Sequence, residues 1–175
     1  FGVGYNHIDV KAAAKRGIAV TNTPGVLTDA TADLAITLML MVARRAGEGE
    51  RLVRSGNWPG WHPTQMLGMH VTGKTIGIIG MGRIGQAVAR RAHFGFGMDV
   101  VYFNRSKVQD CAIPGARQLN SLAEVMAASD VVSLNVPGAP ENHHLISADV
   151  LAAAKPGSII VNTARGDVID EAALI

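Results

Sequence analysis

Three glycines spaced as Gly80-x-Gly82-x-x-Gly85 form the pattern with the most specific chemistry in this sequence. They directly follow the apolar run TIGII and open the amphipathic stretch RIGQAVARRA. In such a strand–turn–helix context, the first glycine permits a tight turn, the second admits a pyrophosphate to the backbone, and the third lets the helix pack on the strand. Phosphates would sit on the free N–H groups at the start of the helix, including Arg83 and Ile84, where the helix dipole favours anions. The pattern predicts a dinucleotide-binding site, with a tight turn that holds no ligand as the alternative.

The tip of the next predicted strand bears on which dinucleotide is bound. An acidic residue about 20 positions after the first glycine usually accepts hydrogen bonds from the ribose 2′-hydroxyl of NAD. Here the strand ends in Asn104, Arg105, Ser106 and Lys107, whereas Asp99 lies at its opposite end. With no carboxylate to repel it, a 2′-phosphate could pair with Arg105 and Lys107 and accept a bond from Ser106. We therefore predict NADP (NADPH) in preference to NAD, which stays possible if both cations are only solvent-facing turn residues.

Two further apolar runs also end in residues that could hold a cofactor. Ligands of open parallel sheets bind beyond the carboxyl ends of the strands. Asparagine and threonine side chains at such tips can hold a carboxamide or a ribose. The tip residues predicted to contact the cofactor are Asn135, Val136, Pro137, Thr163 and Ala164.

Arg165 lies just beyond the end of the last predicted strand, in the stretch SIIVNTARGD. A guanidinium offers a rigid fork of donors that suits a carboxylate or a polarised carbonyl. Beside a nicotinamide ring, this group would bind a 2-oxo acid and stabilise the alkoxide that forms as hydride arrives. The spacing leaves equally open a surface ion pair with Asp167 or Asp170.

The elements that must position these residues alternate strictly from residue 74 onward. Predicted strands cover 75–79, 100–103, 131–136 and 158–162, and predicted helices cover 84–94, 121–128, 148–153 and a segment from 170. Short apolar strands that alternate with helices indicate a parallel sheet covered on both faces. We predict an α/β fold with a Rossmann-type doubly wound parallel sheet.

The residues ahead of this sheet have a different pattern. We predict a short helix over 8–15, a strand over 18–21 and one long helix over 30–55, for which Thr28 and Asp29 offer an N-cap. Residues 56–73 hold two Trp, two Pro and four Gly with no clear period, which indicates a loop or linker. The predicted long helix is very apolar over 34–43, which favours burial in a dimer or within the monomer.

Composition excludes several classes of function. The chain has 175 residues, of which 48% are hydrophobic and 17% charged, and a formal net charge of +2. That charge is too small to indicate nucleic-acid binding, and the apolar stretch over 34–43 is about half the length of a membrane-spanning helix. The only cysteine, Cys111, cannot form an internal disulfide, which favours a reducing, cytoplasmic location.

The histidines are candidates for metal ligands or acids. None has a second ligand at metal spacing, and His143 and His144 should point in opposite directions in an extended segment. We interpret all of them as structural or surface residues and predict no metal site. They are His7, His62, His70, His93, His143 and His144.

Four stretches together resemble one known family. In order, they are VGYNHIDVKAAAKRGIAVTNTPGVLTDATADL, GKTIGIIGMGRIGQAVARRA, VYFNRS and VNTARGDVIDEAAL. With them the chain resembles the D-isomer-specific 2-hydroxyacid dehydrogenase family, most closely its glyoxylate/hydroxypyruvate reductase branch. The resemblance covers essentially the whole chain and implies NAD(P)H-dependent reduction of a small 2-oxo acid, such as glyoxylate or hydroxypyruvate, by a homodimer.

The resemblance also implies roles for individual residues. Arg165 would be the catalytic, substrate-binding arginine, and the loop backbone at Val3 and Gly4 would bind the substrate carboxylate. Thr31 would lie near the cofactor. Trp61 is similar to a tryptophan that reaches across a dimer into the partner's active site, although it could equally pack within a linker.

The resemblance further implies a division of the chain into parts. Residues 1–23 would be the tail of a second, flavodoxin-like substrate domain, 24–73 an interdomain helix and linker loop, and 74–175 a NAD(P)-binding domain truncated at its C-terminal end. We expect the catalytic histidine of the family, and the glutamate that orients it, to lie outside this chain.

One loop departs from the family pattern, and other functions stay open. Where the family usually has Pro-Leu-Thr-Pro-Glu-Thr, this chain has PGAPEN, whose Asn142 can still make hydrogen bonds to a cofactor. The alternatives are another enzyme of the family, such as a phosphoglycerate, formate or phosphite dehydrogenase, and a non-catalytic NAD(H)-sensing protein that resembles the corepressors of this fold.

Overall fold

The computed structural model of the chain describes residues 2–109 and 111–175, and its centre is one parallel sheet. The order of the strands across the sheet is β3-β2-β1-β4-β5. The strands are β1 (Thr75–Ile79), β2 (Asp99–Phe103), β3 (Arg117–Gln118), β4 (Val131–Leu134) and β5 (Ile159–Asn162). This parallel sheet with intervening helices confirms the predicted α/β, Rossmann-type fold.

The described α-helices follow the predicted alternation. They are α1 (Val10–Lys15), α2 (Thr28–Ala43), α3 (Ala46–Arg54), α4 (Arg83–Phe96), α5 (Leu122–Ala128), α6 (Ala148–Ala152) and α7 (Glu171–Leu174). Two short 3₁₀ turns, Pro140–Asn142 and Gly166–Val168, lie in the loops after β4 and β5.

Helices cover the sheet on both faces, as the doubly wound prediction requires. On one face, Met39 of α2 and Val88 of α4 lie in a buried cluster with Ile76 of β1. On the other face, Val125 of α5 lies in a second cluster with Leu134 of β4. All positions of β4 are buried, which explains why its sequence is a continuous apolar run rather than an alternating one.

The predicted long helix over 30–55 is wrong, because the structure has two helices there. The chain turns at Arg45, whose φ of 53° is left-handed, between the end of α2 and the start of α3. The cause is tertiary: the backbone N–H of Met69 donates to the carbonyl of Ala43 at 2.8 Å, and Gly68 packs closely on the same carbonyl. That carbonyl is therefore used by the incoming segment rather than by a further helical turn.

The predicted strand over 18–21 is also wrong. These residues are irregular, and Ile18 is 57% exposed. A strand needs a neighbour for its backbone hydrogen bonds, and the part of the chain that the structure describes provides none there. The other predicted elements lie within two residues of their observed bounds.

The apolar character of α2 is divided between its two sides. Ala35 and Met39 are among its buried residues, whereas Leu34, Met41 and Val42 are exposed. Within the described residues, no helix has the length and apolarity needed to cross a bilayer.

Candidate functional site

The carboxyl ends of four strands form one row at the same edge of the sheet. Ile79 is in register with Phe103 on one side and with Leu134 on the other, and Leu134 is in register with Asn162. Four segments therefore emerge side by side: 80–85, 104–107, 135–137 and 163–165. The predicted cofactor-contact residues of these segments share one edge of the sheet.

The glycine turn has the geometry that its motif predicts. Gly80 has a φ of 93°, and a Cβ there would lie only 2.8 Å from the carbonyl oxygen of Asn135. A Cβ on Gly85 would overlap the carbonyl oxygen of Gly80. By contrast, a Cβ on Gly82 would have no atom within 4 Å. The first and third glycines therefore serve internal packing, and the second faces open space.

Helix α4 begins at this turn, and no side chain of the described residues caps it. Gly82 is the N-cap residue, and α4 starts at Arg83, followed by Ile84. The first N–H groups of a helix have no partner within the helix, so they need a ligand, water or a capping side chain. An uncapped helix start beneath an open glycine suits a phosphate group.

Asn104, at the tip of β2, is bonded within the protein. Its Oδ1 accepts the backbone N–H of Met81 at 3.1 Å, and its Nδ2 donates to the carbonyl and the hydroxyl of Ser106 at 2.9 and 3.3 Å. The side chain thus ties the glycine turn to the loop that follows β2. The positioning role of Asn104 was not predicted from the sequence.

The two cations of this loop are exposed. The side chain of Arg105 is 87% exposed, and its Nη1 lies 3.5 Å from Oε1 of Glu141 in the loop after β4. Lys107 and Ser106 are exposed as well. Arg105 can therefore exchange its present carboxylate partner for an anionic ligand.

Two buried oxygens at the neighbouring strand tips have no hydrogen-bond partner among the described residues. They are Oδ1 of Asn135 and Oγ1 of Thr163. Nδ2 of Asn135 donates to the carbonyl and hydroxyl of Ser133, both at 3.1 Å, which holds the amide in place. Unsatisfied buried oxygens are unfavourable, and a polar ligand could supply their missing partners. With the open space at Gly82 and the uncapped α4, they fit a bound dinucleotide.

Other predicted cofactor contacts lie in the loop after β4 and on α2. Val136 approaches Gly80, since its Cγ1 would be 3.0 Å from a Cβ there. Nδ2 of Asn142 donates to the carbonyl of Pro137 at 2.9 Å and closes the loop after β4. The hydroxyl of Thr31 donates to the carbonyl of Leu27 at 2.9 Å within the first turn of α2.

Arg165 lies between two loops that are far apart in sequence. A Cβ on Gly4 would lie 3.2 Å from its Cζ, and a Cβ on Gly138 would lie 2.9 Å from its Cγ. Nη1 of Arg165 donates to the carbonyl of Ala164 at 2.8 Å. The backbone carbonyl of Arg165 accepts from Nδ2 of Asn162 at 2.7 Å. The loop with Gly4 therefore meets Arg165, which brings together two segments that the family resemblance assigns to the substrate.

The alternative ion pair of Arg165 is not formed in the described part of the chain. Asp170 instead caps α7, where its Oδ1 accepts from the N–H of Ala173 at 3.3 Å, and its Oδ2 lies 3.9 Å from Nδ1 of His144. Arg165 is exposed, so its guanidinium can receive a small anion.

The prediction for the paired histidines is wrong. The rings of His143 and His144 stack, with centroids 3.9 Å apart and planes 18° apart. The reason is the left-handed φ of 50° at His144, which breaks the extended geometry that would separate the two rings. Across residues 2–109 and 111–175, no group of three His, Cys, Asp or Glu is arranged to hold a metal ion.

Trp61 lies in the segment after α3, and Arg165 does not line the same cavity. Trp61 is 78% exposed, and with Trp58 and Leu67 it lines a cavity of about 540 Å³ beside α3. Its predicted reach into a partner's active site stays a prediction.

Comparisons with known proteins agree with this geometry. A family model described as "D-isomer specific 2-hydroxyacid dehydrogenase, NAD binding domain" matches residues 36–175. The chain belongs to the D-isomer-specific 2-hydroxyacid dehydrogenase family. The resemblance found in its motifs is thereby confirmed, and the cofactor of this family's domain is a nicotinamide dinucleotide.

Relatives in the family match the chain along its whole length. It is 49% identical to a glyoxylate reductase of Thermococcus litoralis, over 100% of this chain and 54% of the relative. It is 50% identical to a glyoxylate reductase of Korarchaeum cryptofilum, over 99% of this chain and 52% of the relative. Among solved structures, the TT0316 protein of Thermus thermophilus has a TM-score of 0.91 at 51% identity, over 99% of this chain and 54% of that one. The chain thus spans about half the length of the relatives it matches.

Proposed function

We propose that this chain is the cofactor-binding part of an NAD(P)H-dependent reductase that converts a small 2-oxo acid, such as glyoxylate or hydroxypyruvate, into its 2-hydroxy acid. The observation that carries the proposal is the position of Arg165. It stands at the same edge of the sheet as the glycine turn, against the loop of Gly4, with its guanidinium exposed. The glyoxylate reductases among the relatives support the choice of substrate.

The dinucleotide would be held by backbone and side chains at the strand tips. Gly82 and the N–H groups of Arg83 and Ile84 would bind the pyrophosphate, and Asn135 and Thr163 would bind the nicotinamide end. When bound, the reduced nicotinamide supplies the hydride.

Arg165 would then orient and polarise the substrate. Its guanidinium would donate to the carboxylate and the carbonyl oxygen of the 2-oxo acid and so stabilise the negative charge that develops on that oxygen. The backbone N–H groups at Val3 and Gly4, of which Gly4 lies next to the guanidinium, would bind the carboxylate from the other side. The proton for the oxygen would come from a histidine outside these 175 residues, oriented by a glutamate.

We further propose that NADPH is preferred to NADH. Arg105, Ser106 and Lys107 present two cations and a hydroxyl at the tip of β2, where a ribose 2′-phosphate would lie. The Arg105→Gln variant should lower kcat/KM for NADPH about tenfold or more and leave that for NADH nearly unchanged. A preference for NADH in the unmodified protein would contradict this proposal.

We also propose that the full-length protein is a homodimer and that it is located in the cytoplasm. The exposed apolar residues Leu34, Met41 and Val42 on α2, together with Trp61 and Trp58, are surfaces that a second copy could cover. Sedimentation should give a dimer mass, and Trp61→Ala should raise KM for the 2-oxo acid if the indole enters the partner's site. A monomer in sedimentation would contradict the dimer.

The proposed activity can be tested by following oxidation of the reduced cofactor. The full-length protein, mixed with NADPH and either glyoxylate or hydroxypyruvate, should lose the absorbance of the reduced nicotinamide and yield glycolate or glycerate. A matched mixture without the oxo acid controls for cofactor breakdown. Cofactor binding without any oxidation, across a panel of small 2-oxo acids, would contradict the proposed enzyme and favour a sensor.

A further inference from the structure

Gln118 occupies a position that the short edge strand β3 provides. It pairs in register with Tyr102 of β2, and the N–H of Leu119 donates to the carbonyl of Tyr102 at 2.8 Å. Tyr102 is the penultimate residue of β2, so Gln118 stands beside the carboxyl end of that strand. A half-buried glutamine at this place can reach the loop that follows β2, residues 104–108, which we call the selecting loop.

Among the described residues, all the side-chain hydrogen bonds of Gln118 go to the selecting loop. Its Nε2 donates to the carbonyl of Asn104 at 3.1 Å and to the carbonyl of Ser106 at 3.3 Å. Its Oε1 accepts the backbone N–H of Val108 at 3.3 Å. One amide group therefore fixes three backbone positions that flank Arg105 and Lys107.

The selecting loop is thus held from two sides. Asn104 ties it to Met81 in the glycine turn, and Gln118 ties it to the edge of the sheet. The side chains between these attachments, those of Arg105, Ser106 and Lys107, are exposed. A loop whose backbone is fixed before binding loses less conformational entropy when its donors meet a ligand.

We propose that Gln118 is a specificity-determining positioning residue. It holds the backbone of the selecting loop so that Arg105 and Ser106 present their donors to a ribose 2′-phosphate. The inference rests on the proposed preference for NADPH, and it adds a residue that does not itself touch the phosphate. Its loss should weaken recognition of the 2′-phosphate and leave the rest of the nucleotide site intact.

The test measures binding of two nucleotide probes by calorimetry in the full-length protein. Adenosine 2′,5′-bisphosphate carries the 2′-phosphate, and adenosine 5′-monophosphate lacks it. The variant Gln118→Met keeps the length and the apolar stem of the side chain but makes none of the three bonds. We expect it to bind the bisphosphate about tenfold more weakly and the monophosphate within about twofold of the unmodified protein.

Two further variants and a melting curve separate positioning from loss of fold. Gln109→Met is the same change at an exposed glutamine before Asp110, with no side-chain bond to the described residues, and it should bind both probes normally. Gln118→Asn keeps an amide but is too short to reach the loop, so it should repeat the selective loss. If Gln118→Met lowers the melting temperature and the affinity for both probes, the ratio of the two affinities in Gln118→Asn is the deciding measurement. A loss of affinity for the bisphosphate alone supports the role of Gln118, and an unchanged ratio overturns it.

The outcomes distinguish this inference from the proposed cofactor preference. If both Gln118 variants keep the unmodified ratio of the two affinities, or lose both affinities equally, the role of Gln118 is overturned while the NADPH preference stands. If the unmodified protein does not prefer the bisphosphate, the NADPH preference is overturned, and the role of Gln118 is overturned with it.

Discussion

The guanidinium of Arg165 lies so close to the Cα of Gly4 that a side chain there would collide with it. A Cβ on Gly4 would be 3.2 Å from Cζ of Arg165, and closer still to one of its terminal nitrogens. The loop of residues 2–6 and the tip of β5 therefore share one small space. This contact places a candidate anion-binding arginine directly against the backbone of the loop that holds Gly4.

Gly4→Ala should impair the reaction without unfolding the protein. The atoms that a Cβ would meet belong to the far end of a flexible side chain, so the guanidinium can move aside at little loss of stability. A misplaced guanidinium should lower kcat/KM for the 2-oxo acid roughly 10- to 100-fold. Steady-state kinetics and a melting curve check this; normal kcat/KM with a normal melting temperature would show that the contact is irrelevant.

Alanine at two glycines of the turn should have opposite effects on stability and binding. In Gly85→Ala the Cβ overlaps the carbonyl of Gly80, so we expect a loss of about 2 kcal/mol or more in the free energy of unfolding. In Gly82→Ala the Cβ meets nothing, so stability should change by less than about 0.5 kcal/mol. The same Cβ would obstruct the pyrophosphate, and the affinity for NADPH should fall about tenfold or more.

Denaturant unfolding and cofactor titration of both variants measure these effects. Unchanged NADPH affinity in Gly82→Ala would place the pyrophosphate elsewhere.

Glu141→Gln should strengthen NADPH binding. In the structure its carboxylate pairs with Arg105 at 3.5 Å, and it would compete with a 2′-phosphate for the same guanidinium. Both side chains are exposed, so the gain should be modest, about two- to fivefold in the dissociation constant, and smaller in high salt. Asp99→Asn, at the opposite end of β2, is the charge-matched control and should change nothing. Weaker NADPH binding in Glu141→Gln would show that Glu141 supports the site instead.

Asp130 should contribute a pH-dependent part of the stability. Burial alone would raise the pKa of Asp130. The carboxylate, however, accepts a hydrogen bond from the N–H of Thr75 at 2.9 Å and one from the ammonium of Lys155 at 3.1 Å. These two interactions exceed the effect of burial, so the pKa of Asp130 is lowered. Because the folded pKa lies below the unfolded value of about 3.9, this stabilisation is present above that value and is lost as the pH falls through the folded pKa.

Asp130→Asn should therefore cost about 1 kcal/mol at neutral pH and have less effect in strong acid. Unfolding by denaturant from neutral pH down to about pH 2 covers the window in which a carboxyl with a lowered pKa titrates. Asp149→Asn, exposed on α6, is the control. An equal loss of stability at every pH would show that the ion pair with Lys155 does not matter.

Much of the sheet was predictable from the sequence because its strands are short, apolar and separated by helices. The strand β3 was missed, since Arg117 and Gln118 are too few to form a pattern. The end of α2 could not be predicted from the residues of the helix itself. It depends on a hydrogen bond from the N–H of Met69, in a later segment, to the carbonyl of Ala43.

Part of the site was predictable because the carboxyl ends of parallel strands lie at the same edge of a sheet. That rule alone places the glycine turn, Asn135 and Thr163 together. The contacts that order the site cross between segments far apart in sequence, such as Arg165 with Gly4 and Gln118 with the selecting loop. No spacing within one segment reveals such contacts.

The most direct test of the proposed function is the turnover of Arg165→Leu in the full-length protein, with NADPH and glyoxylate. Arg117→Leu, an exposed arginine on β3, serves as the matched control. Since Arg165 would bind the substrate and stabilise charge only as hydride arrives, kcat/KM for glyoxylate should fall about 1,000-fold, whereas the dissociation constant of NADPH should stay within about threefold. Near-normal turnover by Arg165→Leu would contradict the proposed role of this arginine and the reaction built on it.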